Sequence, residues 1–211
     1  MNRVLIIEAQ IKRYRKPFYD RLYSALRHEG VELRVVYSAP PLSEAQKQDN
    51  CELPREYGVR VRSYLFGRRR LLFQPAFKEI AAADLVVIDQ ANRFILNHFL
   101  LLLSLFKLKR IAFWGLGENL QADRSRFSEW YKERTLGWVH WWFAYTEGTA
   151  HYLQQHGVPA AKITAVQNSV DTRKMQNCLK NLSSNAKAAL RAKLGIAPPH
   201  KWGFSWGCCT R

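Results

Sequence analysis

The sequence WWFAYTEGTA at residues 141–150 decides the fold of this chain. Its first five residues form an uninterrupted apolar run, which is typical of a buried parallel strand. Thr146 can cap a helix that follows, and Gly157 and Pro159 can end that helix. Residues 162–166, KITAV, then predict a second short strand rich in β-branched side chains. Together these segments predict one complete βαβ unit.

The same alternation of apolar strands and amphipathic helices runs through the rest of the chain. The predicted strands are residues 4–7, 31–37, 59–66, 84–89 and 110–114. The predicted helices are residues 17–27, 75–82, 94–106 and 125–137. Strand and helix alternate about six times, so we predict the α/β class with a single doubly wound parallel sheet of the Rossmann-like type. The apolar segment at residues 84–89 is expected at the centre of this sheet.

Composition restricts the class of protein further. The 211 residues are 47% hydrophobic and suffice for one α/β domain, but they are few for two. A formal net charge of +16 indicates an anionic partner, such as a phosphate-bearing substrate, an anionic membrane face or nucleic acid. The alternative is a basic solvated surface without a dedicated partner. The four cysteines lack metal-binding or redox spacing and fit a reducing cytoplasm.

Two apolar segments raise the question of a membrane. Arg68, Arg69 and Arg70 run directly into Leu-Leu-Phe at residues 71–73, and cations beside apolar side chains suit an anionic membrane surface. The alternative is a solvated turn followed by the start of a helix that faces the core. Residues 94–106 are strongly apolar, but they fall short of the roughly 20 residues needed to span hydrocarbon. We therefore predict a buried helix there.

In a doubly wound sheet the functional site lies beyond the carboxyl ends of the strands. The loops expected at that edge are residues 8–14, 90–93, 115–121, 146–148 and 167–171. A dinucleotide-binding turn or a P-loop needs glycines, because the main chain must approach phosphate closely. The first loop contains no glycine, and no Walker A sequence occurs. Nicotinamide oxidoreductases and P-loop enzymes are therefore disfavoured.

The loop that follows residues 110–114 is rich in groups that suit a sugar. Gly115 and Gly117 would let a ligand approach the main chain. Glu118, Asn119 and Gln121 would supply the hydrogen-bonding groups that an array of hydroxyls demands. The alternative is an ordinary βα turn with a polar cap.

Further candidates for acceptor binding lie in the first and second of these loops and at the start of the first helix. Tyr14, Arg15 and Phe18 can stack on an acceptor and contact a phosphate, although Phe18 also suits the core. Asn92 lies in the loop at residues 90–93. The histidines show no metal-ligand pattern, so no metal is expected. Catalytic residues stay unassigned, because nothing in the sequence specifies which side chains meet in space.

Six segments resemble group 1 (family 4) glycosyltransferases. In chain order they are YRKPFY at residues 14–19, WGLGENLQA at 114–122, YTEG at 145–148, GVP at 157–159, KIT at 162–164 and NSVDT at 168–172. In that family the Asn-x-x-Asp element leaves the first Rossmann-like domain just before the chain crosses to the second. This chain differs at Leu116, where many relatives have histidine.

The resemblance implies a retaining glycosyltransferase of the GT-B fold. Such an enzyme moves a sugar from a nucleotide-sugar donor to a glycan or lipid-linked acceptor, in cell-surface polysaccharide or glycoconjugate biosynthesis, without a metal or another cofactor. This chain would be the N-terminal, acceptor-side half, with Thr146, Glu147, Asn168 and Asp171 on the interdomain, donor side. The implied location is cytoplasmic, with peripheral contact to the inner face of the membrane.

The end of the sequence departs from the family pattern. We expect a domain at residues 1–172, a helical linker at 173–199 and an aberrant tail at 200–211. A shift of reading frame near Lys201 turns the tail into a family-like strand and glycine turn, so we predict a truncated chain without the donor-binding second domain. Little or no transfer activity is expected, because a single domain supplies only one side of the cleft and cannot preorganise donor and acceptor together.

The competing prediction is a non-catalytic basic module that binds an anionic membrane or nucleic acid. No recognition-helix, RNP or zinc-finger signature supports the nucleic-acid version, so nucleic acid is not expected among the partners. A salt titration separates the two functions, because affinity for nucleic acid falls steeply with salt.

Overall fold

A computed structural model describes residues 2–40, 49–67, 71–117, 126–167 and 171–195. The chain forms two compact units, Met1–Val170 and Asp171–Arg211. The first unit is α/β, and in the second the described residues form two helices. Among the described residues, no helix is both long enough and apolar enough to cross a membrane.

The first unit is built on strands in two sheets. In chain order the strands are β1 Asn2–Ile7, β2 Val31–Ser38, β3 Gly58–Val61, β4 Tyr64–Phe66, β5 Leu71–Phe73, β6 Leu85–Asp89, β7 Arg110–Gly115, β8 Trp141–Ala144 and β9 Ile163–Ala165. Seven of them form one sheet in the order β3-β2-β1-β6-β7-β8-β9, and all of its pairings are parallel. β6 is the middle strand, so the predicted α/β class, parallel sheet and central segment are confirmed. β4 and β5 form a separate antiparallel ribbon.

The helices connect and cover these strands. In the first unit they are α1 Lys16–His28, α2 Phe77–Ala82, α3 Ile95–Leu105, α4 Arg126–Thr135 and α5 Glu147–Gln155, with short 3-10 turns at Arg13–Arg15, Leu136–Trp138 and Ala160–Lys162. In the second unit they are α6 Arg173–Lys180 and α7 Ser184–Lys193. Pro17 lies in the first turn of α1, where a backbone N–H would have no intrahelical partner. Proline therefore costs the helix no hydrogen bond there.

The central strands are buried on both faces. Val86 and Ile88 face one hydrophobic cluster together with Leu100 of α3, and Val87 between them faces a second cluster with Tyr19 of α1. Successive side chains of a strand point to opposite sides of the sheet, so an uninterrupted apolar run serves both clusters. This is why the central strands lack the polar alternation of a strand with one face in water.

The predicted βαβ unit is present as β8, α5 and β9. The Thr146 hydroxyl accepts a hydrogen bond from the backbone N–H of Thr149 at 3.1 Å, which caps α5. The helix ends at Gln155, and Gly157 follows with a φ of 85°. Trp142 of β8 is fully buried, while Trp141 is 36% exposed and its indole nitrogen donates to the Thr164 hydroxyl at 3.0 Å.

Three local predictions need correction. The segment at residues 59–66 is not one strand but β3 and β4, which belong to different sheets. Residues 71–73 are not the start of a helix: they are strand β5, half-buried and paired with β4. The apolar segment at residues 94–106 forms helix α3 as predicted, but only one of its faces is buried, because Phe99, Leu102 and Leu105 are exposed.

Candidate functional site

A cleft opens at the carboxyl ends of β1, β6, β7 and β8, the edge at which a parallel sheet binds ligands. It encloses a cavity of about 170 Å³. Its polar lining comprises Glu8, Gln10, Lys12, Arg15, Asp89 and Arg93, and its aromatic lining comprises Tyr14, Phe94, Trp114 and Tyr145. The loops predicted after β1 and β6 therefore meet here, as the sheet order requires.

A buried hydrogen-bond network forms the floor of the cleft. The Arg15 guanidinium donates to Glu8 Oε1 and to the Tyr145 hydroxyl, both at 2.9 Å. The Tyr19 hydroxyl donates to the same Glu8 oxygen at 2.6 Å. The side chains of Arg15 and Glu8 are only 20% and 15% exposed. This network ties the loop after β1 and helix α1 to the end of β8, which fixes the width of the cleft.

Burial and charge set the protonation of the network. Burial raises the pKa of Glu8, although the neighbouring Arg15 guanidinium offsets part of that rise. Burial alone would lower the pKa of Arg15, but the Glu8 carboxylate and the Tyr145 hydroxyl outweigh it, and the pKa rises above its ordinary value. Burial also raises the pKa of the Tyr19 hydroxyl. Arg15 therefore stays charged, and Glu8 depends on it as the nearby cation.

Trp114 provides an aromatic wall above this floor. Its ring lies 5.3 Å from the Phe18 ring and 6.2 Å from the Tyr145 ring, between centroids. The Arg15 guanidinium carbon is 5.3 Å from the centre of the Trp114 ring, within the range of a cation–π contact. The Trp114 indole N–H and the Gln10 amide oxygen are buried and have no hydrogen-bond partner among the described residues. A ligand with hydroxyl groups can satisfy both.

Charged groups stand at the mouth of the cleft. Asp89 is exposed to solvent at the mouth, although protein surrounds its carboxylate on most sides. This partial burial raises the pKa of the carboxylate, and the nearby Arg15 and Arg93 guanidinium groups offset part of the rise. The Asp89 carbonyl oxygen accepts a hydrogen bond from the Asn97 amide at 2.7 Å, which holds the start of the loop. Lys12 forms an ion pair with Asp49 at 2.9 Å. The mouth thus presents the exposed Asp89 carboxylate near the Arg93 guanidinium.

The predicted acceptor residues occupy different places. Tyr14 and Arg15 line the cleft, and Phe18 is 41% exposed and packs on Trp114 instead of in the core. The carbonyl oxygen of Asn92 lies 3.0 Å from His98 Nε2, outside the residues that line the cleft.

The two glycines of the predicted sugar loop differ in their surroundings. Gly115 ends β7 beside Asp89, whose carboxylate would lie 3.5 Å from an added Cβ. Gly117 has a φ of 75°, and an added Cβ would lie 3.2 Å from Leu153 of α5. The geometry of Gly117 thus serves close packing against a helix.

Of the predicted donor-side residues, Thr146 and Glu147 do not line the cleft. Thr146 is engaged as the cap of α5, and the exposed Glu147 carboxylate lies 3.4 Å from the Gln167 amide nitrogen. Asp171 belongs to the second unit, where its carboxylate forms an ion pair with Arg173 at 3.1 Å. The remaining predicted site residues, Glu118, Asn119, Gln121, Asn168, Arg68, Arg69 and Arg70, lie outside the described residues.

Sequence reasoning missed several residues of the cleft. Glu8 and Asp89 were placed only within or beside candidate loops, and Gln10, Trp114 and Tyr145 were not named as site residues. A usable signal was present for the two acids, since each stands directly at the end of a parallel strand. In the part of the chain that the structure describes, no three His, Cys, Asp or Glu side chains converge in a way that could hold a metal ion.

Solved structures with a similar fold include two UDP-GlcNAc 2-epimerases and a protein in complex with UDP and glucose. UDP-GlcNAc 2-epimerase from Methanocaldococcus jannaschii superposes with a TM-score of 0.51 at 16% identity, covering 91% of this chain and 53% of that one. Anabaena Alr3699/HepE in complex with UDP and glucose gives 0.50 at 15% identity, covering 92% and 50%. UDP-GlcNAc 2-epimerase from Neisseria meningitidis bound to UDP-GlcNAc gives 0.50 at 14% identity, covering 92% and 54%. At these identities the likeness establishes the fold alone, and the chain spans about half the length of these proteins.

The sequence matches one known family over most of its length. No curated protein sequence matches the chain. Residues 18–174 match the model of Glycosyltransferase Family 4. This range includes helix α1 from Phe18 onward, the parallel sheet from β2 onward and the cleft residues at the ends of β6, β7 and β8. This match covers well over half of the 211 residues. The chain therefore belongs to Glycosyltransferase Family 4.

Proposed function

We propose that this chain is the acceptor-binding side of a retaining hexosyltransferase. The whole enzyme would move a sugar from a nucleotide-sugar donor to a glycan or lipid-linked acceptor in cell-surface polysaccharide or glycoconjugate biosynthesis, on the cytoplasmic side of the membrane. The observation that carries this proposal is the cleft itself. A charged floor, an aromatic wall and two polar atoms without a hydrogen-bond partner among the described residues lie at the ligand-binding edge of the sheet.

The unpartnered atoms define what the cleft would bind. A buried donor or acceptor without a partner costs about 1–3 kcal/mol, and a ligand that supplies the partner recovers that cost. The Trp114 N–H requires an acceptor and the Gln10 amide oxygen requires a donor, and a sugar hydroxyl can be either. The exposed Asp89 carboxylate would accept a hydrogen bond from the attacking acceptor hydroxyl.

Arg15 and Arg93 would set the charge of the acceptor. Both guanidinium groups reach the cleft, so an acceptor that carries a phosphate, such as a sugar on a lipid phosphate, is favoured over a neutral glycan. Arg15 already donates hydrogen bonds to Glu8 and Tyr145, so it would attract the phosphate through long-range electrostatics. Arg93 at the mouth would contact the phosphate directly.

The donor would bind elsewhere. The nucleotide sugar acts as co-substrate, with no other cofactor or metal, and the structures with similar folds include complexes with UDP and with UDP-GlcNAc. Because those chains are about twice as long, we assign the donor site to a second domain that faces Thr146, Glu147, Asn168 and Asp171. An isolated acceptor-side domain would bind an acceptor and transfer little or no sugar, because one side of a cleft cannot position both substrates.

The test is a calorimetric titration of the 211-residue chain with N-acetylglucosamine 1-phosphate, a soluble mimic of a sugar on a lipid phosphate. Trp114→Phe keeps the ring but removes the indole N–H, so we expect Kd to rise about fivefold, the equivalent of about 1 kcal/mol. Trp130→Phe, a change at an exposed tryptophan that does not line the cleft, should leave Kd unchanged.

Because the N–H has no hydrogen-bond partner among the residues that the structure describes, Trp114→Phe should not lower stability through a lost hydrogen bond. Equal affinities for the two variants would refute the role of Trp114. No measurable binding of any sugar phosphate by the unaltered chain would refute the proposed function.

A further inference from the structure

Helix α3 carries an apolar face that is about half exposed among the described residues. One side of α3 packs into the core through Leu96, Leu100 and Leu101. The other side presents Phe99 and Leu102, each about half exposed, and the stripe continues to Phe106, which is 69% exposed. These residues are spaced at i, i+3 and i+7, so they lie on one side of the helix. Single exposed apolar side chains are ordinary, but a continuous stripe marks a surface for interaction.

The stripe continues onto neighbouring elements. The ring of Phe77 in α2 lies 6.4 Å from the Phe99 ring and 6.0 Å from the Phe73 ring of β5, between centroids. The Leu72 N–H donates to the Arg93 carbonyl at 2.8 Å, which ties the β4–β5 ribbon to the segment that precedes α3. All three residues of β4, Tyr64–Phe66, are about half exposed. We call this set, from β4 through Phe77 to Leu108, the apolar basic face.

The tip of α3 is held in a conformation that is costly for its sequence. Lys107 has a φ of 58°, a left-handed conformation in which glycine is usual. Two bonds close the helix end there: Lys107 N–H to the Ser104 carbonyl and Leu108 N–H to the Leu103 carbonyl, both at 2.9 Å. This Schellman-type end fixes the backbone of Lys107 between Phe106 and Leu108, two of the most exposed apolar side chains of the first unit.

Charge on this part of the chain has one dominant sign. Residues 60–110 contain ten Lys and Arg against three Asp and Glu. Among the described residues, the cations Lys78, Lys107 and Arg110 are exposed next to or within the apolar elements. Three further cations, at residues 68–70, lie between β4 and β5 in the sequence.

We propose that the apolar basic face docks on an anionic lipid bilayer. Apolar side chains insert at the boundary of the headgroups and cations attract the anionic lipids, and the two contributions strengthen each other. A protein interface would fit less well, because lysine is depleted at such interfaces. A nucleic-acid surface would not need exposed phenylalanine and leucine on a helix. The purpose of docking rests on the proposed function, since a lipid-linked acceptor is presented at the membrane.

The test is co-sedimentation of the 211-residue chain with vesicles of phosphatidylcholine and phosphatidylglycerol in equal parts, compared with vesicles of phosphatidylcholine alone. We expect binding to the anionic vesicles that weakens as salt rises. The double variant Phe106→Asp/Leu108→Asp should bind at least tenfold more weakly. The matched control Leu179→Asp/Leu190→Asp changes two exposed leucines of the second unit and should bind as the unaltered chain does.

Lys107→Gly separates docking from folding. Glycine suits the positive φ, so this variant should be at least as stable as the unaltered chain, yet it should bind anionic vesicles several-fold more weakly. Equal vesicle binding by all variants would overturn the proposal. The proposal would also be wrong if sedimentation velocity showed a dimer that dissociates in the double variant while no vesicles bind. Binding of duplex DNA in place of vesicles would overturn it as well. The titration with N-acetylglucosamine 1-phosphate should be unaffected by these variants, so failure of either proposal is visible by itself.

Discussion

Replacing Arg15 with methionine tests the network at the floor of the cleft. Methionine keeps most of the side-chain length but removes the guanidinium that donates to Glu8 and Tyr145. Removing one partner of a buried ion pair costs about 3–5 kcal/mol, because the other charge is left uncompensated. The Arg15 and Glu8 side chains are still 20% and 15% exposed, so we expect a loss at the lower end of this range. The free energy of unfolding should fall by about 3 kcal/mol, including the lost cation–π contact with Trp114.

The loss should depend on pH with a defined sign. Burial raises the folded-state pKa of Glu8, and loss of Arg15 raises it further. Below the unfolded-state pKa, about 4.3, Glu8 is protonated in both states and contributes no penalty. As pH rises through the folded-state pKa, the uncompensated carboxylate destabilises the fold. The difference in free energy of unfolding between Arg15→Met and the unaltered chain should therefore be largest near pH 7 and shrink towards pH 4.

Urea unfolding followed by tryptophan fluorescence measures this effect. Lys16→Met is the matched control: it removes the adjacent cation, whose ion pair with Asp20 is exposed, and should cost at most about 0.5 kcal/mol. Adding Glu8→Gln to Arg15→Met should restore much of the lost stability, since the buried charge is then gone. Equal losses for Arg15→Met and Lys16→Met, or no recovery in the double variant, would refute the reasoning.

Two further predictions concern the fold. Leu100→Ala should lower the free energy of unfolding by about 2–5 kcal/mol because its side chain is fully buried, whereas Leu102→Ala, two positions on but half exposed, should change it by less than about 0.5 kcal/mol. Urea midpoints decide this, and similar losses at both sites would mean that the outer face of α3 is covered. Gly117→Ala should lower the free energy of unfolding by about 1–2 kcal/mol, since Gly117 has a positive φ and an added Cβ would meet Leu153. Gly137→Ala should be neutral or stabilising, because no described atom lies within 4 Å of an added Cβ there. Thermal denaturation compares the pair, and an unaffected Gly117→Ala variant would contradict the packing role.

The fold was predictable because its signals are local. The run of apolar residues in β6 and β8, the Thr146 cap and the glycine after α5 each depend on a few neighbouring residues. The cleft floor depends on long-range partners. Arg15 and Tyr145 are 130 residues apart, and nothing in either segment specifies the other. The sequence therefore predicted which loops lie at the ligand-binding edge of the sheet, but it could not predict which of their side chains form hydrogen bonds with each other.

The errors at β5 and α3 have physical causes too. Three apolar residues in a row fit a strand or the start of a helix equally, and pairing with β4 decides between them. Residues 95–105 are apolar nearly all round, which normally indicates burial on every side. Here only one side packs into the core, and among the described residues Phe99 and Leu102 on the other side stay about half exposed. Periodicity cannot reveal which side of an evenly apolar helix stays open.

The strand order has a consequence for synthesis of the chain. β2 and β3 are added on one side of β1, and β6, β7, β8 and β9 are then added one after another on the other side. Each new strand meets an open edge, so none has to be inserted between strands that are already paired. The sheet can thus grow outward as the polypeptide leaves the ribosome. The cleft is completed late, when Tyr145 at the end of β8 reaches the guanidinium of Arg15 near the start.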